Sequence, residues 1–376
     1  MSAQISYKKQ IIIFLAIFVL LIFAVEIGIR AFEYVDDFDN NECEFIGKDA
    51  FKNVEEIKQN QICKDNNSTA YEVDGILKYI PNQNMETINI NSHGFRGHDF
   101  SVTKDLDTYR IFIVGGSTVF GSGSTSDDTT IPSFLQKKFE SIHNGKKIEI
   151  LNAGIGSAYS YSEKYLIEND LMKFQPDLII IYSGGNDANN RYGVEYTVPG
   201  IPASQLDSSE TPTNFENLVK KFIRETDYRT PILLYFELTR IVSQDPNNFH
   251  INNSLKNQVQ ELWTTRMGEV CKENNKKEIT TIILVQPMLG SGNKQLSIDE
   301  KILLENYGIY MQDTLDILNK MSGSLEKLEN ICHGTYDLRM IFDDVKEPVF
   351  FDHIHATDLG NEIIAEEIYK ILTDYL

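Results

Sequence analysis

A serine hydroxyl at the tip of an apolar strand, and an aspartate three residues before a histidine near the far end of the chain, are the groups best suited to chemistry. Ser117 closes the stretch YRIFIVGGS (109–117). A serine is a weak nucleophile until a base takes its proton. Asp352 and His355 lie in FFDHIHATD (350–358). On a turn, that spacing lets a carboxylate hold the imidazole of the third following residue, which fixes the tautomer and leaves Nε2 facing a hydroxyl. His353, adjacent to Asp352, should point away from it and is the second choice of base. A metal site from Asp352, His353 and His355 is the weaker reading, because no further cluster of histidines accompanies them. Asn186 in GGND (184–187) can donate its amide to an oxyanion. Taken alone, an Asn after Gly is more often a turn residue tolerating left-handed geometry.

These groups need a scaffold that brings them together, and from residue 110 the sequence has an α/β rhythm. Apolar runs at 109–116, 146–154, 177–187 and 279–288 read as buried strands, with helical stretches at 127–142 and 159–174 between the first three. Such alternation predicts a doubly wound, mostly parallel sheet between helical layers, a three-layer α/β/α fold. Ligands then sit at the carboxyl ends of the strands, which puts the turns at 115–118, 154–158 and 184–187 on one rim. Near the C-terminus, Thr357 is placed to cap a closing helix with Asp358 in its first turn. Between 188 and 278 the rhythm breaks, too long a stretch for an ordinary connection. It reads as an inserted helical cap or, equally, as extra helices on a sheet face. Its PILLYFELTRIV segment (231–242) could line a binding pocket, face the lipid or fill the core, and its helical spacing favours the core.

The N-terminus concerns address. Residues 11–25 are fifteen apolar residues without a charge. From Gln10 to Phe32 the stretch is long enough to span a bilayer, which needs ~20 residues. Lys8 and Lys9 precede it and Asp36, Asp37, Asp39 and Glu42 follow. The expectation is therefore a cytoplasmic tail (1–9), a transmembrane helix (10–32), and everything beyond outside the cytoplasm. A cleaved signal peptide is the rival, but no small-x-small site follows the run. A polar extension (33–105) would pack on the main domain (106–376), with Arg96 of NSHGFRG (91–97) tying that segment to the sheet edge. In an exported body the four Cys have three possible pairings, of which Cys43–Cys63 with Cys271–Cys332 is one; free buried thiols are the alternative. Asn66, Asn67 and Asn252 stand in N-x-S/T sequons, relevant only in a glycosylating host. The 376 residues carry 35 basic and 55 acidic side chains, a net charge of −20. That argues against a nucleic-acid partner, which needs a basic patch. Four Cys without CxxC exclude zinc-finger spacing.

Taken in order, GGST (115–118), NAGIGSAYS (152–160), GGND (184–187) and DHIH (352–355) resemble the ordered blocks of the SGNH (GDSL-like) hydrolase family, over about residues 106–376. The anchor with Glu26-x-x-x-Arg30, followed by NSHGFRG, looks like membrane-anchored relatives of that family. The resemblance implies a flavodoxin-like fold and acyl transfer by Ser117, His355 and Asp352. It also implies an oxyanion hole from the N–H of Ser117, a backbone N–H of the second block, and the Asn186 amide. Counting from Asn152, the family's oxyanion Gly falls on Ser157, with Gly156 the alternative one residue earlier. The family's usual Asp before the nucleophile is Gly116 here. No metal or organic cofactor is implied. The expected substrate is an ester, either an O-acyl group on an envelope carbohydrate or a lipid ester. An O-acetyltransferase using the same triad, or a non-catalytic envelope scaffold of the same fold, are the competing expectations.

Overall fold

The apolar strand runs assemble into one central sheet. The computed structural model describes residues 48–73, 77–139, 145–189 and 253–376, with isolated positions between 6 and 27. In chain order the elements are α1 (Glu56–Ser68), β1 (Tyr71–Val73), β2 (Leu77–Tyr79), β3 (Gln83–Asn84), β4 (Asn89–Ile90), β5 (Thr108–Gly115), α2 (Ser117–Phe120), α3 (Ile131–Lys138), β6 (Lys147–Gly154), α4 (Ser160–Leu166), β7 (Leu178–Ser183), α5 (Gly185–Asn189), α6 (Asn253–Asn275), β8 (Thr280–Val285), α7 (Ile298–Gly323), β9 (Gly334–Asp337) and α8 (Asp358–Leu372). The central sheet is parallel throughout, in the order β6-β5-β7-β8-β9. Ile111, Phe112, Ile113 and Val114 of β5 and Leu178 to Ile181 of β7 are fully buried. Strands covered on both faces need no polar alternation, which is why these segments are continuous apolar runs.

Register sets the rim. Gly115 pairs with Gly154 on one side and with Tyr182 on the other. Three strands therefore end level, and the turns after them share one edge. The order reverses direction at β5, whose neighbours are β6 and β7, and the crevice at such a switch point is where doubly wound sheets bind ligands. α3 packs on β6 with α8 beside it, and α6 packs on β8 with α4 and α7 as neighbours.

The structure adds elements that the sequence pattern does not show. β9 is a four-residue strand of mostly half-buried residues on the edge of the sheet, without an apolar run. The extension, read as polar and irregular, contains the 13-residue α1, in which only Gln59, Ile62 and Asp65 are buried. Its one buried apolar side chain, Ile62, packs with Phe51 and Phe351, and polar contacts supply the rest, so it shows no apolar stripe. Asp65 accepts from the N–H and hydroxyl of Thr87, and Gln59 donates to the carbonyls of Phe51 and Val54. Of the segment 188–278, residues 253–275 form α6, and 190–252, including 231–242, lie outside the described residues. A disulfide joins Cys271 on α6 to Cys332 before β9. Cys43, one possible partner of Cys63, lies outside the described residues. Among the described residues no helix is long and apolar enough to cross a membrane, and most of 10–32 falls outside them.

Candidate active site

Ser117 is the first residue of α2, a single helical turn entered directly from β5. The backbone of this turn lies against the end of β6, where a Cβ on Gly154 would overlap the backbone nitrogen of Phe120. Only glycine permits that approach. As a first-turn residue, Ser117 has an N–H without an intrahelical acceptor.

The histidine sits in the loop 349–357, which is closed by its own backbone. Thr357 N–H donates to the Val349 carbonyl at 2.8 Å, and Phe350 bridges Ala356. Buried Glu300 receives the N–H groups of Val349 and Phe350. Within the loop, one oxygen of Asp352 accepts from the N–H of Ile354 (2.8 Å) and of His355 (2.6 Å). The other lies 2.6 Å from His355 Nδ1. Burial by itself would raise the pKa of Asp352; the imidazole beside it and these N–H donors outweigh burial and hold the carboxyl below the usual carboxylate range. His355 Nε2 lies 2.7 Å from Ser117 Oγ. Two side chains separated by 238 positions thus meet at hydrogen-bond distance. The two turns are joined by Asp358, which accepts from the Thr125 N–H (3.1 Å) and hydroxyl (2.5 Å), and by Asn361, which donates to Ser124 Oγ. His353 turns away from this array, its ring 4.5 Å from that of Tyr307.

Asn186 lies on α5, just beyond β7. Its amide nitrogen donates to the Ala158 carbonyl at 2.6 Å and occupies the space that a side chain on residue 116 would need. A primary amide has two N–H groups, so one remains for a ligand. The same packing gives a reason for Gly116 before the serine. In the second turn, the Gly156 N–H donates to Tyr79 Oη at 2.9 Å. Ser157 is exposed with φ of 59°, and among the described residues its N–H meets no acceptor. Left-handed geometry costs a non-glycine residue ~1 kcal/mol, which explains why a glycine is common at such a position and why its absence here is tolerable. Of the two candidates in this turn, Ser157 is the one with a donor to offer.

Beneath Asn186 lies a polar cluster with no signature in the sequence. Asp187 accepts from the N–H (2.9 Å) and hydroxyl (2.5 Å) of Ser160, and Arg266 donates to the same hydroxyl at 3.0 Å. Glu163 accepts from Ser183 at 2.6 Å. Burial pushes both carboxyls up; the Asp187 charge adds to this at Glu163, while Arg266 and the serine donors oppose it. The cluster ties the 157–160 turn to the helix carrying Asn186. Among the described residues no group of three or more His, Cys, Asp or Glu is placed to hold a metal ion.

The chain resembles, at the level of solved structures, a protein assigned to the G-D-S-L lipolytic family from Desulfitobacterium hafniense DCB-2 (13% identity, 70% of this chain and 99% of that one, TM-score 0.39). It is likewise similar to the acetyl xylan esterase AlAXEase (13%, 70% and 99%, TM-score 0.38) and to TesA (14%, 71% and 99%, TM-score 0.40). No curated protein matches it. A family model, GDSL-like Lipase/Acylhydrolase, matches residues 111–368, from β5 to the closing helix. The chain belongs to the GDSL-like lipase/acylhydrolase family, and it is an ester-bond hydrolase.

Proposed function

We propose that this hydrolase is a serine esterase, anchored by its N-terminus in a membrane and facing outward, that works through an acyl-enzyme. The observation that carries the reading is the continuous chain Ser117 Oγ, His355, Asp352, with links of 2.7 and 2.6 Å. Ser117 Oγ bonds to the ester carbonyl carbon while its proton passes to His355 Nε2. The carbonyl electron pair moves onto oxygen, where the N–H of Ser117, the N–H of Ser157 and the free amide N–H of Asn186 receive it. Collapse breaks the bond to the alcohol oxygen, which takes the proton from His355. Water then attacks the acyl-enzyme with His355 again as base, releasing the acid and restoring Ser117. Asp352 holds the tautomer and stabilises the imidazolium.

Support for the address comes from the apolar run at 11–25 with Lys8 and Lys9 before it, and from the Cys271–Cys332 bridge, which suits an oxidising compartment. The substrate class that fits this placement is an O-acyl group on an envelope carbohydrate or a lipid ester. A fluorophosphonate probe tests the nucleophile. Ser117 Oγ displaces fluoride from phosphorus, so the wild type becomes covalently labelled and Ser117→Ala does not. Labelling that survives in Ser117→Ala ends the assignment. Carbonate extraction and protease protection of membranes carrying the full chain test the anchor and its orientation.

A further inference from the structure

The family match begins at residue 111, yet the segment before it reaches three of the turns that build the site. At the nucleophile, Arg96 is 3% exposed, and its guanidinium grips the last carbonyls of the Ser117 turn: Phe120 O at 3.2 Å and Gly121 O at 2.7 Å. Its remaining donors go to Thr87 O (2.9 Å) and to Asp127 (2.7 Å). Asp127 is itself fixed by the N–H and amide of Asn89. At the oxyanion turn, Tyr79 Oη takes the Gly156 N–H, and the Tyr79 ring stacks on Phe120 at 4.6 Å. At the histidine, Phe351 lies parallel to the His355 ring at 5.6 Å, Phe51 backs it at 5.2 Å, and Lys48 donates to the Phe351 carbonyl at 2.9 Å.

We infer that the segments 48–73 and 77–97 form a splint for the catalytic apparatus and that Arg96 is its principal positioning residue, setting the place of Ser117. This rests on the reading of Ser117 as nucleophile. The physical need is plain. A single helical turn fixes several dihedral angles for one hydrogen bond and does not hold its shape unaided. The α2 turn leaves its terminal carbonyls without intrahelical partners. Phe120 O also accepts from the Asn152 amide at 3.3 Å and Gly121 O from the Ser124 N–H at 3.0 Å, and a planar fork with donors in fixed directions bridges the two carbonyls and fixes the turn's orientation. Lysine offers only a flexible point charge and cannot reproduce this. The charge tolerates burial because Asp127 pairs with it. Tyr79 does the same for the second turn, consuming the Gly156 N–H so that Ser157 alone presents its N–H outward.

The test uses the full chain and a fluorophosphonate, so no natural substrate is needed. For wild type, Arg96→Lys and Tyr79→Phe, the limiting labelling rate and the half-saturating probe concentration are measured beside thermal melting. Folded Arg96→Lys is expected to bind the probe as wild type does and label about 100-fold slower, the effect of a displacement of ~1 Å at the reacting atom. Tyr79→Phe, which removes one hydroxyl, should label about 10-fold slower with the same half-saturation, the order of one lost hydrogen bond of ~1.4 kcal/mol. A folded Arg96→Lys that labels at the wild-type rate, even with a lower melting temperature, overturns the inference. If Arg96→Lys does not fold, Tyr79→Phe decides: slowed labelling supports the splint and an unchanged rate overturns it. A wild type that is not labelled at Ser117 overturns the nucleophile reading before any splint variant is compared, so the two failures are distinct.

Discussion

The loop that carries His355 is closed by its own backbone and by Asp352 within it, with Glu300 and Lys48 adding outside contacts, whereas the turn that carries Ser117 takes its position from other segments. Asp352 reaches the imidazole and two loop N–H groups within three residues, and the loop is closed by pairing between 349–350 and 356–357. The Ser117 turn is four residues long and takes its position from Gly154 behind it, Asn186 beside it and Arg96 at its far end. An acid–base pair is a local device that a short sequence can encode. A nucleophile at a strand tip is a tertiary device, and its geometry depends on residues with no chemistry of their own.

Breaking the local device gives the largest effect. Asp352→Asn should lower kcat by roughly 10⁴-fold with the fold intact, because the imidazole loses its tautomer control. The same variant sharpens the electrostatic side of the comparison. A carboxyl whose folded pKa lies below its unfolded value of ~3.9 stabilises the fold above that value and loses its contribution as pH falls toward the folded pKa. Melting curves between pH 2 and 6 should therefore show a shallower acid limb in Asp352→Asn than in wild type. An unchanged limb would mean that Asp352 is not held by its loop.

Removing a tertiary donor comes next. Asn186→Ala should lower kcat by ~10²–10³-fold with little change in KM, the loss typical of one oxyanion donor. If KM moves instead, Asn186 binds the ground state. Gly154→Ala tests the dependence of the Ser117 turn on its neighbours. The new Cβ must push the Ser117 turn away from β6, so the folded variant should be labelled by fluorophosphonate ~10²-fold more slowly while the Asp352–His355 pair is untouched. Normal labelling there would show that the turn can shift at no cost to attack. Ser157→Gly is the mildest. A backbone donor survives the change, so turnover should stay within about threefold and stability should change by no more than ~1 kcal/mol, relief of the positive φ being offset by greater freedom of the unfolded chain.

Burial on both faces wrote the central strands into the sequence as apolar runs, and the structure places them at Thr108–Gly115, Lys147–Gly154, Leu178–Ser183 and Thr280–Val285. β9 and α1 were not legible, since an edge strand and a helix that buries one apolar side chain, Ile62, beside Gln59 and Asp65 leave no periodic apolar pattern. The helical stretch at 127–142 begins with a turn at Asp127–Thr129 and becomes α3 only at Ile131, because Thr130 caps it by accepting from Ser133 N–H and Pro132 follows. The stretch at 159–174 changes pitch after Leu166, through a wide turn at Ile167–Leu171 and a tight one at Met172–Phe174. Arg96 stood out as part of NSHGFRG, but its expected partner was the sheet edge. The structure gives it the carbonyls that end the Ser117 turn. Nothing in the spacing of those residues could have signalled a contact between positions 96 and 121.

By itself, then, the sequence determined what depends on neighbours along the chain. These are the strand runs, the Asp-x-x-His spacing, and the placing of Ser117 and Asn186 directly after strands. Only the tertiary structure decided which hydroxyl meets His355, which N–H of the 154–158 turn is left without an acceptor among the described residues, and what contacts the Ser117 turn. Those outcomes depend on distances between segments far apart in sequence. Such distances are fixed by sheet register and by the packing of side chains whose type alone carries no address.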